Sequence, residues 1–500
     1  MFRKIKSILF TNQTVRQTVV KNTFWLTVSN IGGRLLRAVI IIYAARVLGA
    51  AGWGVFSYAI SLVGLLTIFT DLGISPTLTK ETARVADPEH KSKILSTSFF
   101  IKAALLALGA LVVVLAGPRL SAIGEAKRLM PLFALILIFD AMREFGFALS
   151  RAMEKMEREA GLYLFTNVVI VLFGFIFLLA SPTVTSFTLA YAVGTGAGMV
   201  ATFFAFRKNF RNLLSKFSAK LIRPIISSAW PLGISGIAGS LMINVDIIIL
   251  GFLRSIEEVG FYSAAQRPIQ FFYILPVIIA IGAFPAMSRL VQKNSEQLRK
   301  LLERMITAGF LLALPIALGG IILGEEIIKL FFGNEYLPAT LSFQILLVTL
   351  LSNLPTAILS NTIFAYDRER VLVTYVGIGT IANIVFDLIL IPPFGIGGAA
   401  VATLISQIIS NFYLWRKTVA LNPFKILPHI KKISAASLGM ALTAWILFAI
   451  TKNVMLVTAA STLIYVLLLV ILKEPLLREI KSILRPAASA ARVSGESTSL

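Results

Sequence analysis

The stretch AGLYLFTNVVIVLFGFIFLLA at residues 160–180 contains no charged side chain. As a helix rising about 1.5 Å per residue, it is long enough to cross a hydrocarbon core of about 30 Å. A second block of the same kind, VMLVTAASTLIYVLLLVIL, occupies 454–472. The whole chain agrees with these two windows. Of its 500 residues 57% are apolar and 14% charged, against about 25% charged in soluble domains, and the mean hydropathy is +0.85. The fold class is therefore all-α, a polytopic membrane protein. Disordered, collagen-like and disulfide-rich secreted classes are excluded.

Working outward, the hydropathy divides the chain into about fourteen transmembrane helices: 22–48, 53–75, 94–117, 129–149, 160–180, 184–206, 224–251, 258–284, 300–323, 338–365, 370–392, 395–415, 431–451 and 454–472. The first apolar run is too long for a signal-peptide core and lacks a clean cleavage site, so it reads as an uncleaved span. Charge placement tests the division independently. With the N-terminus inside, 35 of the 47 Lys and Arg fall on inside segments and six on outside connections. That asymmetry predicts both termini in the cytoplasm, at the cell membrane. It also accounts for the net charge of +23, as topology signal beside anionic lipid rather than a nucleic-acid surface. Residues 1–20 and 474–485 are expected as short helices on the membrane surface, and 486–500 as a disordered tail.

The chain resembles itself at one lag. GVFSYA from Gly54 recurs as GFYSAA from Gly260, AMEKMEREAGLYLFTN from Ala152 as AYDRERVLVTYVGIGT from Ala365, and FRK at 206–208 as WRK at 415–417. Six spans thus repeat as six, with the same orientation, and parallel repeats are a common plan for alternating-access transporters. The expected organisation is a cytoplasmic N-terminal segment (1–21), a first six-helix half (22–206), a cytoplasmic linker (207–223), a second six-helix half (224–415), a linker with the last two helices (416–472) and a cytoplasmic tail (473–500).

Four segments carry a resemblance to a known family: TDLGISPTLTKE (70–81), AWPLGISGIAGSLMINVDIIILG (229–251), VGFYSAAQRPIQFFYILPVIIAIGAFPAMSRL (259–290) and IPPFGIGGAAVATLIS (391–406). Together they resemble the polysaccharide-biosynthesis (O-antigen, Wzx-type) lipid-linked oligosaccharide flippases of the multidrug/oligosaccharidyl-lipid/polysaccharide exporter superfamily. The resemblance implies a flippase that moves a polyprenyl-pyrophosphate-linked oligosaccharide across the cytoplasmic membrane. It also implies lipid-linked oligosaccharide and membrane lipids as partners, glycan polymerase or glycosyltransferase neighbours, and a monomer.

Charges inside spans are the candidate chemistry, because a mid-helix Arg or Asp costs roughly 2.5–3.5 kcal/mol on insertion scales. Arg34 and Arg37 project from one face of the first span, and Arg267 lies in the outer half of the eighth. Guanidinium forks match phosphate oxygens, so these three are the candidate pyrophosphate site. The lipid II flippases of the same superfamily use intramembrane arginines in this way, and the resemblance carries that role to Arg34, Arg37 and Arg267. The competing reading pairs Arg34 or Arg267 with Asp246 as a structural ion pair. Arg46 is expected to snorkel, Asp71 to cap a helix or pair with Lys80 or Arg84, and Asp140, Arg143 and Glu144 to neutralise one another. Asp246 and Asp387 are each the lone charge in the body of a span, and are candidates for Na⁺ or H⁺ coupling.

Other chemistries are thinly supported. There is no cysteine, and the two histidines, His90 and His429, are expected in polar connections. Neither a metal nor another cofactor is expected. GTGAGMV (194–200) and GIGGAA (395–400) imitate nucleotide loops, yet neither follows a strand. Prolines such as Pro231, Pro276, Pro285 and Pro355 suit ordinary membrane-helix kinks as well as hinges. The alternative function is a drug or organic-cation antiporter of the same superfamily, in which the first-span arginines would be unwelcome. A membrane glycan polymerase or ligase would need a catalytic outside loop, and the connections are short.

Overall fold

The computed structural model describes residues 14–85, 87–207, 215–273, 284, 286–291 and 293–476. Among the described residues every regular element is a helix. Most of the expected surface segments, the tail, Pro276, Pro285 and residues 208–214 of the linker lie outside them.

The first helix, α1 (Val15–Asp71), runs 57 residues. That is more than twice the length needed to span a bilayer, so it must be two spans. Gly49 divides them, with φ 68° and ψ 176°, a conformation that only glycine adopts cheaply. The expected boundary between spans one and two falls at this residue. Then follow α2 (Ile74–Arg84), α3 (Pro88–Leu115), the single turn α4 (Gly117–Leu120), α5 (Gly124–Ala152), α6 (Met156–Ala180) and α7 (Val184–Ala205). After the linker come α8 (Ile222–Leu253), α9 (Ile256–Phe272), α10 (Ser295–Phe332), α11 (Thr340–Ala365), α12 (Glu369–Leu421), α13 (Leu427–Thr451) and α14 (Val454–Ile471). Helix α12 is again double, with Gly395, the first residue of expected span twelve, at φ 54° and ψ −133°.

Ten helices among the described residues are long and apolar enough to cross a membrane, and the chain is a multi-pass membrane protein. Both double-length helices count singly in that ten. Expected span four lies in α5, whose charged trio keeps it out of the set, and expected span eight is described only to residue 273. The histidines sit in helical first turns rather than in connections: His90 in α3 and His429 in α13. Asp87 caps α3 by accepting from the backbone N of His90 at 3.0 Å and of Glu89 at 3.1 Å. Those bonds hold its carboxyl below the usual carboxylate range.

By packing, the chain forms two compact units, one of residues 1–274, 328–343 and 373–410, the other of 275–327, 344–372 and 411–500. The first unit has an aromatic core in which Phe56 packs on Trp53, Phe133, Phe187 and Tyr191. Within it the stretch of α1 just after Gly49 meets the start of α9. Ser263 donates to Ser57 at 2.8 Å across 206 residues of sequence, the same separation as Gly54 and Gly260. Those two glycines also sit in backbone contact, each facing the other helix: a Cβ on Gly54 would fall 2.1 Å from the Ile256 carbonyl oxygen, and one on Gly260 2.0 Å from that of Ala50. In the second unit α13 and α14 form a hairpin. Ile433, Ala436, Met440, Tyr465 and Leu469 are buried there against Leu311 and Leu314 of α10, and the Tyr465 hydroxyl donates to the Leu311 carbonyl at 2.8 Å.

Candidate functional site

The first unit gathers the intramembrane charges of α1 and α9. Arg34 and Arg37 lie one turn apart on α1, and Arg267 lies on α9. Gln270, one turn on from Arg267, touches two of them. Its backbone carbonyl accepts from Arg34 Nη1 at 3.3 Å, and its side-chain Oε1 accepts from Arg267 Nη1 at 3.5 Å. Arg37 Nε donates to Asn167 Oδ1 of α6 at 3.1 Å. Tyr191 of α7 lies within electrostatic range of both Arg37 and Arg267, which are within range of one another. The three arginines singled out from the sequence are thus brought together, with Gln270, Asn167 and Tyr191 between them.

The partners differ in kind from those of the buried cations Lys21, Lys102 and Arg143. Lys21 pairs with Glu157 at 2.8 Å, Lys102 with Asp71 at 2.6 Å, and Arg143 with Asp140 at 2.6 Å. Each of those charges is cancelled by a carboxylate. Arg34, Arg37 and Arg267 are held by a carbonyl and two amides, and no ion pair joins them to a carboxylate among the described residues. The Arg267 Nε is buried with no hydrogen-bond partner among the described residues. A cluster of positive charge with spare donors is suited to an anion.

Asp246 does not pair with Arg267 or Arg34. It is 1% exposed on α8, where Oδ2 accepts from the Tyr262 hydroxyl and, at 2.8 Å, from Thr403 Oγ1 of α12. Asp387, fully buried, lies within hydrogen-bonding reach of it and accepts from Asn383 Nδ2 at 3.2 Å. The hairpin pairing expected from similar depth fails because depth leaves the azimuth of each side chain open. Tyr262, five residues before Arg267 on α9, occupies the face that meets Asp246. One oxygen of each carboxylate is buried without a hydrogen-bond partner among the described residues. Two carboxylates in contact beside two hydroxyls form a donor set that fits a proton or a hard monovalent cation.

One more expectation needs correction. Asp71 binds Lys102 and Ser75, each at 2.6 Å, rather than Lys80 or Arg84. Lys102, a lone lysine within the apolar run of α3, carries the same sequence signal as the arginines. Arg46 is exposed, and its guanidinium donates to the carbonyls of Phe331, at 2.7 Å, and Leu330, capping the last turn of α10. The Asp140–Arg143–Glu144 trio does neutralise itself, with Arg143 at 4.0 Å from Glu144.

Comparison with known proteins places this architecture. A family model described as polysaccharide biosynthesis protein matches residues 19–291, more than half of the chain. The chain belongs to the polysaccharide biosynthesis protein family. A second model, MatE, matches 231–389. Among relatives of this family member, "Probable low-salt glycan biosynthesis flippase Agl15" of Haloferax volcanii is 27% identical over 389 residues, covering 78% of this chain and 81% of the relative. "Capsular polysaccharide biosynthesis protein CapF" of Staphylococcus aureus is 23% identical, covering 80% of this chain and 100% of the relative. Among solved structures, lipid II flippase MurJ in an inward closed conformation superposes with a TM-score of 0.74 at 19% identity, covering 91% of this chain and 99% of that one. That likeness fixes the fold class as MurJ-like.

Proposed function

We propose that this protein is a non-enzymatic flippase that carries a polyprenyl-pyrophosphate-linked oligosaccharide from the cytoplasmic to the outer leaflet for surface polysaccharide synthesis. The observation that carries the reading is the arginine cluster held by neutral groups alone. Three uncancelled guanidiniums near one another suit a pyrophosphate and repel an organic cation, which disfavours the drug-antiporter alternative. The relatives named as a glycan flippase and a capsular polysaccharide protein support the same class.

In this reading both termini are cytoplasmic, and the halves 22–206 and 224–415 alternate in access. The Ser57–Ser263 and Gly54–Gly260 contacts join repeat-equivalent positions, which supports a parallel repeat. The inside-negative potential favours anion export, by about 2.3 kcal/mol per charge per 100 mV. Asp246 and Asp387 carry the coupling Na⁺ or H⁺. The protein works as a monomer beside a glycan polymerase or glycosyltransferases.

The test is complementation of a flippase-deficient strain. Arg34→Ala, Arg37→Ala and Arg267→Ala should each abolish glycan export while the protein still inserts. The Arg→Lys forms should rescue only partly, because a point charge loses the bidentate fork. Normal export by an Arg34/Arg267 double alanine variant would remove the reading.

A further inference from the structure

We propose that the side-chain amides of Asn167 and Gln270 set the sign of the cargo: they hold Arg37 and Arg267 in place without cancelling their charge. The inference rests on the arginine cluster being the pyrophosphate site.

Asn167 is 1% exposed on α6, and both ends of its amide are committed. Nδ2 donates to the Tyr163 carbonyl at 2.8 Å, which turns Oδ1 toward Arg37 Nε. The approach depends on Gly33, one turn before Arg37. A Cβ there would lie 2.2 Å from Tyr163 Cε1 and 3.0 Å from Asn167 Nδ2, so α6 comes close enough to α1 for an asparagine to reach the arginine. With Nε occupied, the terminal nitrogens of Arg37 are left for an incoming group. Gln270 does the corresponding work on α9, its Oε1 on Arg267 and its carbonyl on Arg34.

An acid would make either hydrogen bond as well as an amide does, and at the buried cations Lys21, Lys102 and Arg143 this chain uses one: Glu157, Asp71 and Asp140. At positions 167 and 270 the isosteric acid would convert a held cation into an ion pair. The donors would then be spent, and a carboxylate would face any anion that entered. Asp140, already bound to Arg143, is the carboxylate within electrostatic range of Arg37. The amides therefore leave the cluster its three positive charges, where each acid in their place would remove one and set a carboxylate beside the anion. They are positioning and specificity residues rather than contacts to the substrate.

The experiment measures binding of farnesyl diphosphate to the purified full-length protein in detergent, with thermal unfolding recorded on the same samples. Arg37→Ala and Arg267→Ala should weaken binding by more than about tenfold. Gln270→Glu and Asn167→Asp should weaken it by at least about thirtyfold, since like-charge juxtaposition costs several kcal/mol, with unfolding temperatures equal to or above that of the unmodified protein. Gln270→Met, neutral and of similar length, should lose only about threefold, the worth of one orienting hydrogen bond. Lowering the pH should restore binding to Gln270→Glu relative to the unmodified protein, because the new carboxyl then becomes neutral; a purely structural role would show no such recovery. Acid variants that bind as the unmodified protein does, while the arginine variants fail, would overturn this inference and leave the site standing. So would a Gln270→Met loss as large as that of Gln270→Glu. Arginine variants that bind normally would overturn the site itself. If Gln270→Glu does not fold, Asn167→Asp carries the same comparison.

Discussion

The contact between Ser57 and Ser263 offers a direct test of movement. The chain has no cysteine, so a Ser57→Cys/Ser263→Cys variant introduces the only two thiols. The hydroxyl oxygens stand 2.8 Å apart, and small shifts would bring two sulfurs to disulfide distance. Mild oxidation should therefore close the pair, hide both thiols from maleimide added after denaturation, and stop export until a reductant is added. Gly260→Ala in the same background perturbs the contact by a defined amount. Its Cβ would lie 2.0 Å from the Ala50 carbonyl oxygen and 2.9 Å from the carbonyl carbon. Cβ contacts below about 3 Å are essentially never seen, so α1 and α9 must part by roughly 1 Å, and because backbone meets backbone no rotamer can relieve the clash. Overpacking of this kind costs about 1–3 kcal/mol, which displaces a two-state equilibrium by about 5- to 150-fold. Oxidative closure, followed by a mass-tagged maleimide after timed exposure to oxidant, should slow by a factor in that range. Two thiols that stay fully reactive under oxidation would refute the closed contact. A Gly260→Ala variant that closes at the parent rate and melts at the parent temperature would refute the steric argument.

Asp246→Asn should insert and melt near the parent temperature, because an amide oxygen can still accept from Tyr262 and Thr403, yet it should lose gradient-driven translocation in vesicles; failure to fold would point to a structural role for the carboxylate instead. Asp71→Asn strands Lys102, 2% exposed at its side chain, and should cost about 3–5 kcal/mol. Lys102→Met leaves the third-exposed Asp71 able to reach solvent and should cost about 1 kcal/mol, so thermal melts that rank the two the other way would contradict the burial. Arg46→Ala should lower stability by about 1–2 kcal/mol through the lost α10 carbonyl bonds, while farnesyl diphosphate affinity stays unchanged. Single cysteines in 118–128 and 324–337 should label from outside and those in 207–223 only from inside; outside labelling at 207–223 would overturn the orientation.

Much of this protein was legible in its residues. Uncharged runs such as 160–180 establish helices in lipid, because a backbone there is satisfied only in a helix or a closed barrel, and barrel strands are about half that length. Hydropathy also placed breaks near 49 and 395, where the structure shows glycines in non-helical conformations. The rarity of Arg34, Arg37, Arg267, Asp246 and Asp387 in apolar surroundings singled them out, since a charge in lipid is costly wherever it points. Spacing along one helix also correctly joined Asp140 to Arg143. Partners on different helices were another matter. Asp246 and Arg267 share depth, but Asp246 faces Tyr262 and Asp387, and Asp71 turns to Lys102 rather than to the lysine and arginine that follow it. Helix rotation and packing decide those choices, and hydropathy averages over rotation. The neutral character of the arginine cluster is equally a product of tertiary structure. Asn167 lies 130 residues from Arg37, and an asparagine within an apolar run carries no signal of its own until Gly33 lets its helix close on α1.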